Sequence, residues 1–244
     1  MTKNICSVTI RNTRTNVWLV KKESVMVLSY QEINDMAQEI VSKYRKLKEN
    51  PCVNVNVEEL MERLYGFKIR FYKLSKDNSI LGIYSPVPII LSVFDKGKPL
   101  LVELDGKTAL IDESLLQNNT GRKNFTEAHE GAHFILSHLR QSKDILYRDT
   151  ICENKTIDWI EWQANVLAAC ILMPEDSVRY LFWKFYCAEH IEKISPFIKE
   201  YFAPFEAMAE FFGVSKQALG IRLKKLGLVN EIILSASISV SKEN

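Results

Sequence analysis

Histidine is scarce in this chain, with four residues among 244. Cysteine is limited to Cys6, Cys52, Cys152, Cys170 and Cys187, an odd number with no C-x-x-C spacing. That argues against a disulfide framework and for a reducing compartment. No run reaches the 18 or so apolar residues that a spanning helix needs, and the start lacks the apolar core of a signal peptide. The expected location is therefore cytoplasmic, with no membrane partner. The net charge is only +2, which points to neither a bulk nucleic-acid binder nor a trap for acidic substrates. Internal repeats and low-complexity segments are absent. What remains is a chain 47% hydrophobic, able to bury one large domain, or one domain plus a small module.

Two of the four histidines stand in one five-residue run, His129-Glu130-Gly131-Ala132-His133, which fits H-E-x-x-H. On a helix, positions i and i+4 share a face, so two imidazoles spaced this way can hold one metal ion from a single rigid element. Glu130 then points beside the metal, where a carboxylate can take a proton from a zinc-bound water. Asn124 reads as the N-cap of this helix, with Glu127 three residues later. The apolar stripe runs through Ala128, Ala132, Ile135, Leu136 and Leu139, with His129 and His133 at its edge, where a ligand would be half buried. Gly131 costs about 1 kcal/mol relative to alanine in mid-helix. It marks either a close approach of backbone or substrate, or neutral drift.

A third protein ligand is needed, with one position left open for water. Glu161 fits. The stripe of its helix runs through Ile157, Ile160, Ala164, Ala168 and Ile171, and Glu161 sits between Ile157 and Ala164, facing the protein. An unpaired carboxylate there would be costly, and zinc would satisfy it; the competing reading is an ordinary ion pair with lysine or arginine. Asn165, one turn on, could bond the free nitrogen of a ligating histidine. Ala128 and Ala132 on one helix, with Ala164 and Ala168 on the other, would let the two pack closely.

Three blocks resemble the ImmA/IrrE-type zinc metallopeptidases. They are the stretch from Asn124-Phe125-Thr126-Glu127-Ala128 through the H-E-x-x-H run to Phe134-Ile135-Leu136, the stretch from Glu161-Trp162-Gln163-Ala164-Asn165 to Leu172-Met173-Pro174, and the ending Phe212-Gly213-Val214-Ser215 to Leu226-Gly227-Leu228. The resemblance implies metal ligands at His129, His133 and Glu161, a catalytic Glu130 and one Zn2+ per chain. It also implies a protein substrate, a helix-turn-helix repressor often encoded beside such genes, whose cleavage derepresses a mobile element or stress regulon. Two positions depart from the family pattern. The order Gly131-Ala132 replaces a bulky residue followed by glycine, and Leu167-Ala168 replaces Phe-Ala, a swap that cores tolerate.

The expected fold class is α+β, a mainly helical metallopeptidase domain with a small, mostly antiparallel sheet beside the H-E-x-x-H helix, plus a C-terminal helix-turn-helix-like unit. Residues 1–27 form an extension rich in Lys3, Arg11, Arg14, Lys21 and Lys22. Either the true start is Met26 or the stretch is a short β-rich arm. The peptidase domain spans 28–200, the helix-turn-helix-like unit 201–230, and the tail 231–244, an edge strand or a frayed end. Helices are expected at 31–47 and at 57–65, the latter stopped by Gly66. Strands are expected at 69–72, 80–84, 89–94, 99–104 and 108–111, separated by turn signals, and an edge strand commonly holds an extended substrate. His138 is rotated off the ligand face and His190 is incidental. Tyr84, Tyr147 and His138 are the candidates for a donor to a developing oxyanion.

Two functions compete. One is a zinc-dependent endopeptidase in which Glu130 passes a proton from water to the leaving amine. The other is a DNA-binding regulator, since residues 207–226 have a helix-turn-helix layout. The stretch 213–230 carries Lys216, Arg222, Lys224 and Lys225 and no acid. The spread of charge favours a unit that packs on the catalytic domain or grips the substrate over one that reads DNA.

Overall fold

The computed structural model describes residues 5–11, 18–24, 28–48, 53–117, 120–137, 147–150, 159–187 and 199–229. His138, His190, Ile157 and the tail at 231–244 lie outside them. Near the N-terminus β1 (Ile5–Arg11) pairs antiparallel with β2 (Trp18–Ser24). Helix α1 (Tyr30–Lys46) begins at a capping box, in which the Ser29 side chain accepts from the Glu32 amide and the Glu32 carboxylate accepts from the Ser29 amide. That arrangement satisfies two amide donors that a helix start leaves open. Its buried residues Ile33, Ala37, Ile40, Val41 and Tyr44 fall at helical spacing on one stripe. Helix α2 (Val57–Tyr65) is capped by Asn56 and ends at Gly66, whose φ of 64° is the left-handed stop read from the sequence.

The strands are β3 (Lys68–Tyr72), β4 (Ile80–Tyr84), β5 (Ile89–Asp95), β6 (Lys98–Leu104), β7 (Thr108–Asp112) and β8 (Tyr147–Thr150). Their pairing is mostly antiparallel, as expected, but it divides between two sheets instead of one. One sheet has the order β3-β7-β4-β8, with β3 parallel to β7, while β5 and β6 form a separate hairpin. Burial explains the division. All five residues of β7 are buried, as befits a central strand covered on both faces. Along β6, by contrast, burial falls only on Val102 and Leu104, the face of the hairpin that shares a small core with Ile83 of β4 and Leu110 of β7.

Helix α3 (Thr120–Ser137) lies across β4 and β7 and carries the H-E-x-x-H run. It starts before Asn124, so Asn124 is not its N-cap. The Asn124 side chain instead donates to the Gly213 carbonyl at 3.0 Å. Gly213 has φ +60°, and a Cβ there would stand 2.4 Å from the Asn124 amide nitrogen. An end-of-chain turn is thus pinned to the middle of the sequence. Helix α4 (Trp159–Leu172) packs on α3, and Ala128, Ala132, Ala164 and Ala168 of the two helices are each at most 1% exposed. Helices α5 (Glu175–Tyr186), α6 (Lys199–Phe212) and α7 (Lys216–Lys225) complete the chain. Leu219 and Leu223 of α7 enter the same hydrophobic core as α1, α3 and α4. No helix of the described residues is long and apolar enough to cross a membrane.

Charge counting treats the basic residues near the C-terminus as one surface set, and the fold divides them. Arg222 is 2% exposed. Its Nε donates to the Met173 carbonyl at 3.0 Å, a terminal nitrogen to Asn34 Oδ1 at 2.7 Å, and the other to the Tyr30 hydroxyl. Asn34 in turn donates to Glu175 at 2.7 Å. Lys216 pairs with Glu206 on the surface. Removing the Arg222 side chain strands Asn34 and the Met173 carbonyl in the interior. Arg222→Ala is therefore expected to lose roughly 3 kcal/mol in urea unfolding. Lys224→Ala, at an exposed position, should stay within about 0.5 kcal/mol. Equal losses in the two variants would remove Arg222 as the anchor of α7.

Candidate metal centre

One helical turn separates His129 from His133 on α3, and their rings meet edge to face with centroids 4.5 Å apart. The two Nε2 atoms stand 3.0 Å apart. Glu161, on the first turn of α4, brings Oε2 to 3.1 Å from His129 Nε2 and 3.3 Å from His133 Nε2. The three side chains singled out by spacing therefore converge on one point, as a group of potential metal donors. Small residues make this possible, because the alanine seam between α3 and α4 lets the two backbones approach closely.

The donor set itself tests whether a metal fits. Three mutual contacts would need three hydrogens in line, and the two Nε2 atoms of neutral imidazoles offer at most one each. A single divalent cation would satisfy all three lone pairs at once. Zinc–ligand distances of about 2.0–2.1 Å set tetrahedral donors about 3.3 Å apart, close to the separations found here. Two nitrogens and one carboxylate are also the ligand types of catalytic rather than structural zinc sites. Burial would push the Glu161 carboxyl up, but hydrogen bonds and charge from His129 and His133 outweigh it and hold the group well below the ordinary carboxylate range.

Both histidines are 1% exposed, not half buried as their place at the edge of the stripe suggests. That stripe counts only the apolar residues of α3 itself, whereas α4 covers the helix from outside and Phe125 stacks on the His129 ring at 6.3 Å. The Glu161 side chain keeps 35% of its surface, so it is the most open of the three. Beside it, Asn165 is exposed and lines a groove of about 410 Å³ between α4 and α7, walled by Phe125, Trp162, Val166 and Ile221.

Glu130 is fully buried and faces β4, where its carboxyl lies against Gly82. Periodicity and motif spacing do not single out Gly82, although a lone glycine inside a strand pattern is a known sign of close approach. Gly131 has a different neighbour from either of those its position suggested. A Cβ there would meet the Met61 side chain of α2 at 3.1–3.3 Å, so a core side chain, not backbone or substrate, lies against it. Of the oxyanion candidates, Tyr84 is 1% exposed and packs among Phe67 and Phe134. Its hydroxyl is 3.4 Å from Ser137 Oγ and 3.5 Å from the Gly106 carbonyl. Burial raises its pKa, with Ser137 opposing and Glu130 adding to the rise. This is a core tyrosine, turned away from any open face. His138 and the Tyr147 side chain lie outside the described residues. Glu127 forms an ion pair with Lys123 at 2.7 Å and takes no part in the cluster.

Residues 115–224 match the family model for the IrrE N-terminal-like domain, Peptidase_M78. No curated protein matches the chain. Among solved structures, a Mycobacterium tuberculosis transcriptional regulator aligns over 80% of this chain at 14% identity with a TM-score of 0.44. The chain spans 52% of that protein's length.

The packing at Gly131 sets an expectation for stability. Alanine there gains about 1 kcal/mol of helix propensity, while flexible Met61 yields by a few tenths of an ångström. Gly131→Ala should thus change unfolding free energy by less than about 1 kcal/mol, whereas Gly131→Leu, which must displace Met61 outright, should lose about 2 kcal/mol or more. Thermal unfolding of the two variants checks this, and a tolerated leucine would mean that α2 does not pack there.

Proposed function

We propose, from the match of residues 115–224 to the IrrE N-terminal-like peptidase domain, that the chain is an ImmA/IrrE-type zinc-dependent endopeptidase acting on a protein substrate. The observation that carries this reading is the triangle of donors from His129, His133 and Glu161, with the Glu130 carboxylate held one residue away on the same helix. When bound, zinc would supply Lewis acidity for the scissile carbonyl and for the attacking water. The protein's own work is then to hold and move a proton. The Glu130 carboxylate accepts it from the attacking water and returns it to the leaving amine. Burial of Glu130 on α3 removes bulk water from the base and fixes it on the same rigid element as the two imidazoles, so base and metal site keep one geometry.

A helix-turn-helix repressor is the substrate class we favour, on the resemblance of the three sequence blocks. The α6–α7 pair, read as a helix-turn-helix-like unit, serves this function as a packing and docking element. Its Arg222 is engaged in the interior with Met173, Asn34 and Tyr30, which removes one of four basic groups from any contact with phosphate.

Two measurements test the proposal. Elemental analysis should find about one zinc per chain in the wild type and a marked loss in Glu161→Ala; equal metal in the two would exclude Glu161 as a ligand. Glu130→Gln keeps the side-chain shape and both imidazoles but removes the base. It should retain metal while cleavage of a helix-turn-helix repressor substrate falls by about 10²-fold or more. Wild-type cleavage by that variant would assign the base elsewhere.

A further inference from the structure

Gly82 lies in the middle of β4, between Ile111 of β7 and Asp149 of β8. Glycine weakens a strand interior, because it has no side chain to pack and loses more freedom on folding than any other residue. The usual reason to find one is a backbone with positive φ. Gly82 is not among the positive-φ glycines of the described residues, so no left-handed backbone calls for it, and the register of β4 against β8 shifts between Ile80 and Gly82. Space is what forbids a side chain. A Cβ at Gly82 would lie 2.4 Å from Glu130 Oε1 and 2.9 Å from both its Cδ and its Cγ. Three successive atoms of the glutamate thus run through the volume that every other amino acid would fill.

We propose that Gly82 is a positioning residue for the reaction, because the side chain it lacks is the slot that holds the Glu130 carboxylate. The inference rests on the endopeptidase reading for its catalytic meaning, while the contact itself stands without it. The slot fixes the base from a second element. Helix α3 sets where the glutamate starts, and the flat backbone of β4 sets where its carboxyl ends. Any Cβ must drive that carboxyl about 1 Å away, and displacements of this size in a reacting group can cost about 10²-fold in rate. The three atoms nearest that Cβ all belong to Glu130, so the donors His129, His133 and Glu161 would stay in place.

A double-mutant cycle on the full chain tests this with two readouts. Gly82→Ala should keep wild-type zinc content and KM within about twofold, while kcat for the cleaved repressor falls by about 10- to 100-fold. In thermal unfolding, Gly82→Ala should lower the melting temperature by roughly 3–6 °C in the wild-type background. In the Glu130→Ala background, where the slot is empty, the same change should be neutral or stabilising. Additive effects on melting temperature would overturn the contact, and unchanged kcat in Gly82→Ala would overturn the positioning role. If the wild type cleaves nothing yet the unfolding effects remain coupled, the endopeptidase reading fails and the slot survives. Should Gly82→Ala not fold alone, its recovery by Glu130→Ala supports the contact as coupled melting temperatures would, and failure to recover overturns it.

Discussion

The close seam between α3 and α4 is the constraint on which the rest depends. The two helices pack closely, the small residues Ala128, Ala132, Ala164 and Ala168 are buried in the core they share, and a glutamate on one helix meets two imidazoles on the other. A larger residue at any of these positions would wedge the helices apart. The donor separations of 3.0, 3.1 and 3.3 Å would open, and a metal needs all of them. Packing of small apolar groups, which carries no chemistry of its own, is thus what converts three distant polar residues into one site.

Around this seam the fold places its other elements so that polar groups are either satisfied or used. Glu161 and the imidazoles form one concentration of buried polarity, and Arg222 with Tyr30, Asn34 and Glu175 forms another. The second ties α7 to α1 and to the end of α4 through groups separated by nearly the whole chain. Asn124 adds a third tie, from the helix of the metal donors to the Gly213 turn. The C-terminal pair is therefore held by directional bonds as well as by its apolar face. Directional bonds fix orientation where apolar contact alone would tolerate sliding.

Much of this was legible in the residues. The spacing of His129 and His133 sufficed to place them on one helical face, and the inward stripe around Glu161 sufficed to single out the carboxylate that the fold brings to them, because local periodicity dictates which side chains share a face. Helix α2 and its Gly66 stop, and the positions of β3 to β7, followed from periodicity and turn chemistry for the same reason. Asn124 misleads because a polar residue before an apolar run looks the same whether it caps its own helix or bonds a turn nearly ninety residues away. Gly131 misleads because nothing in its own helix reveals that Met61 approaches it. The burial of His129 and His133 exceeds what the stripe implies because a helical stripe describes one element and says nothing of what another lays over it.

Strand pairing and the surroundings of Glu130 were beyond the sequence for a single reason. Alternation of apolar residues tells that a segment is a strand and which face is covered, but hydrogen-bond partners are chosen between segments far apart in the chain, so the parallel pairing of β3 with β7 and the separate β5–β6 hairpin belong to the tertiary structure. The same holds for Gly82. By itself the sequence determined the chemistry available, two imidazoles and a carboxylate with a second carboxylate beside them, since residue type and helical period are local properties. Only the folded chain decided that Arg222 is interior, that β4 runs under Glu130, and that the missing side chain of Gly82 is occupied by the glutamate, because these are contacts across long sequence distances set by the packing of whole elements.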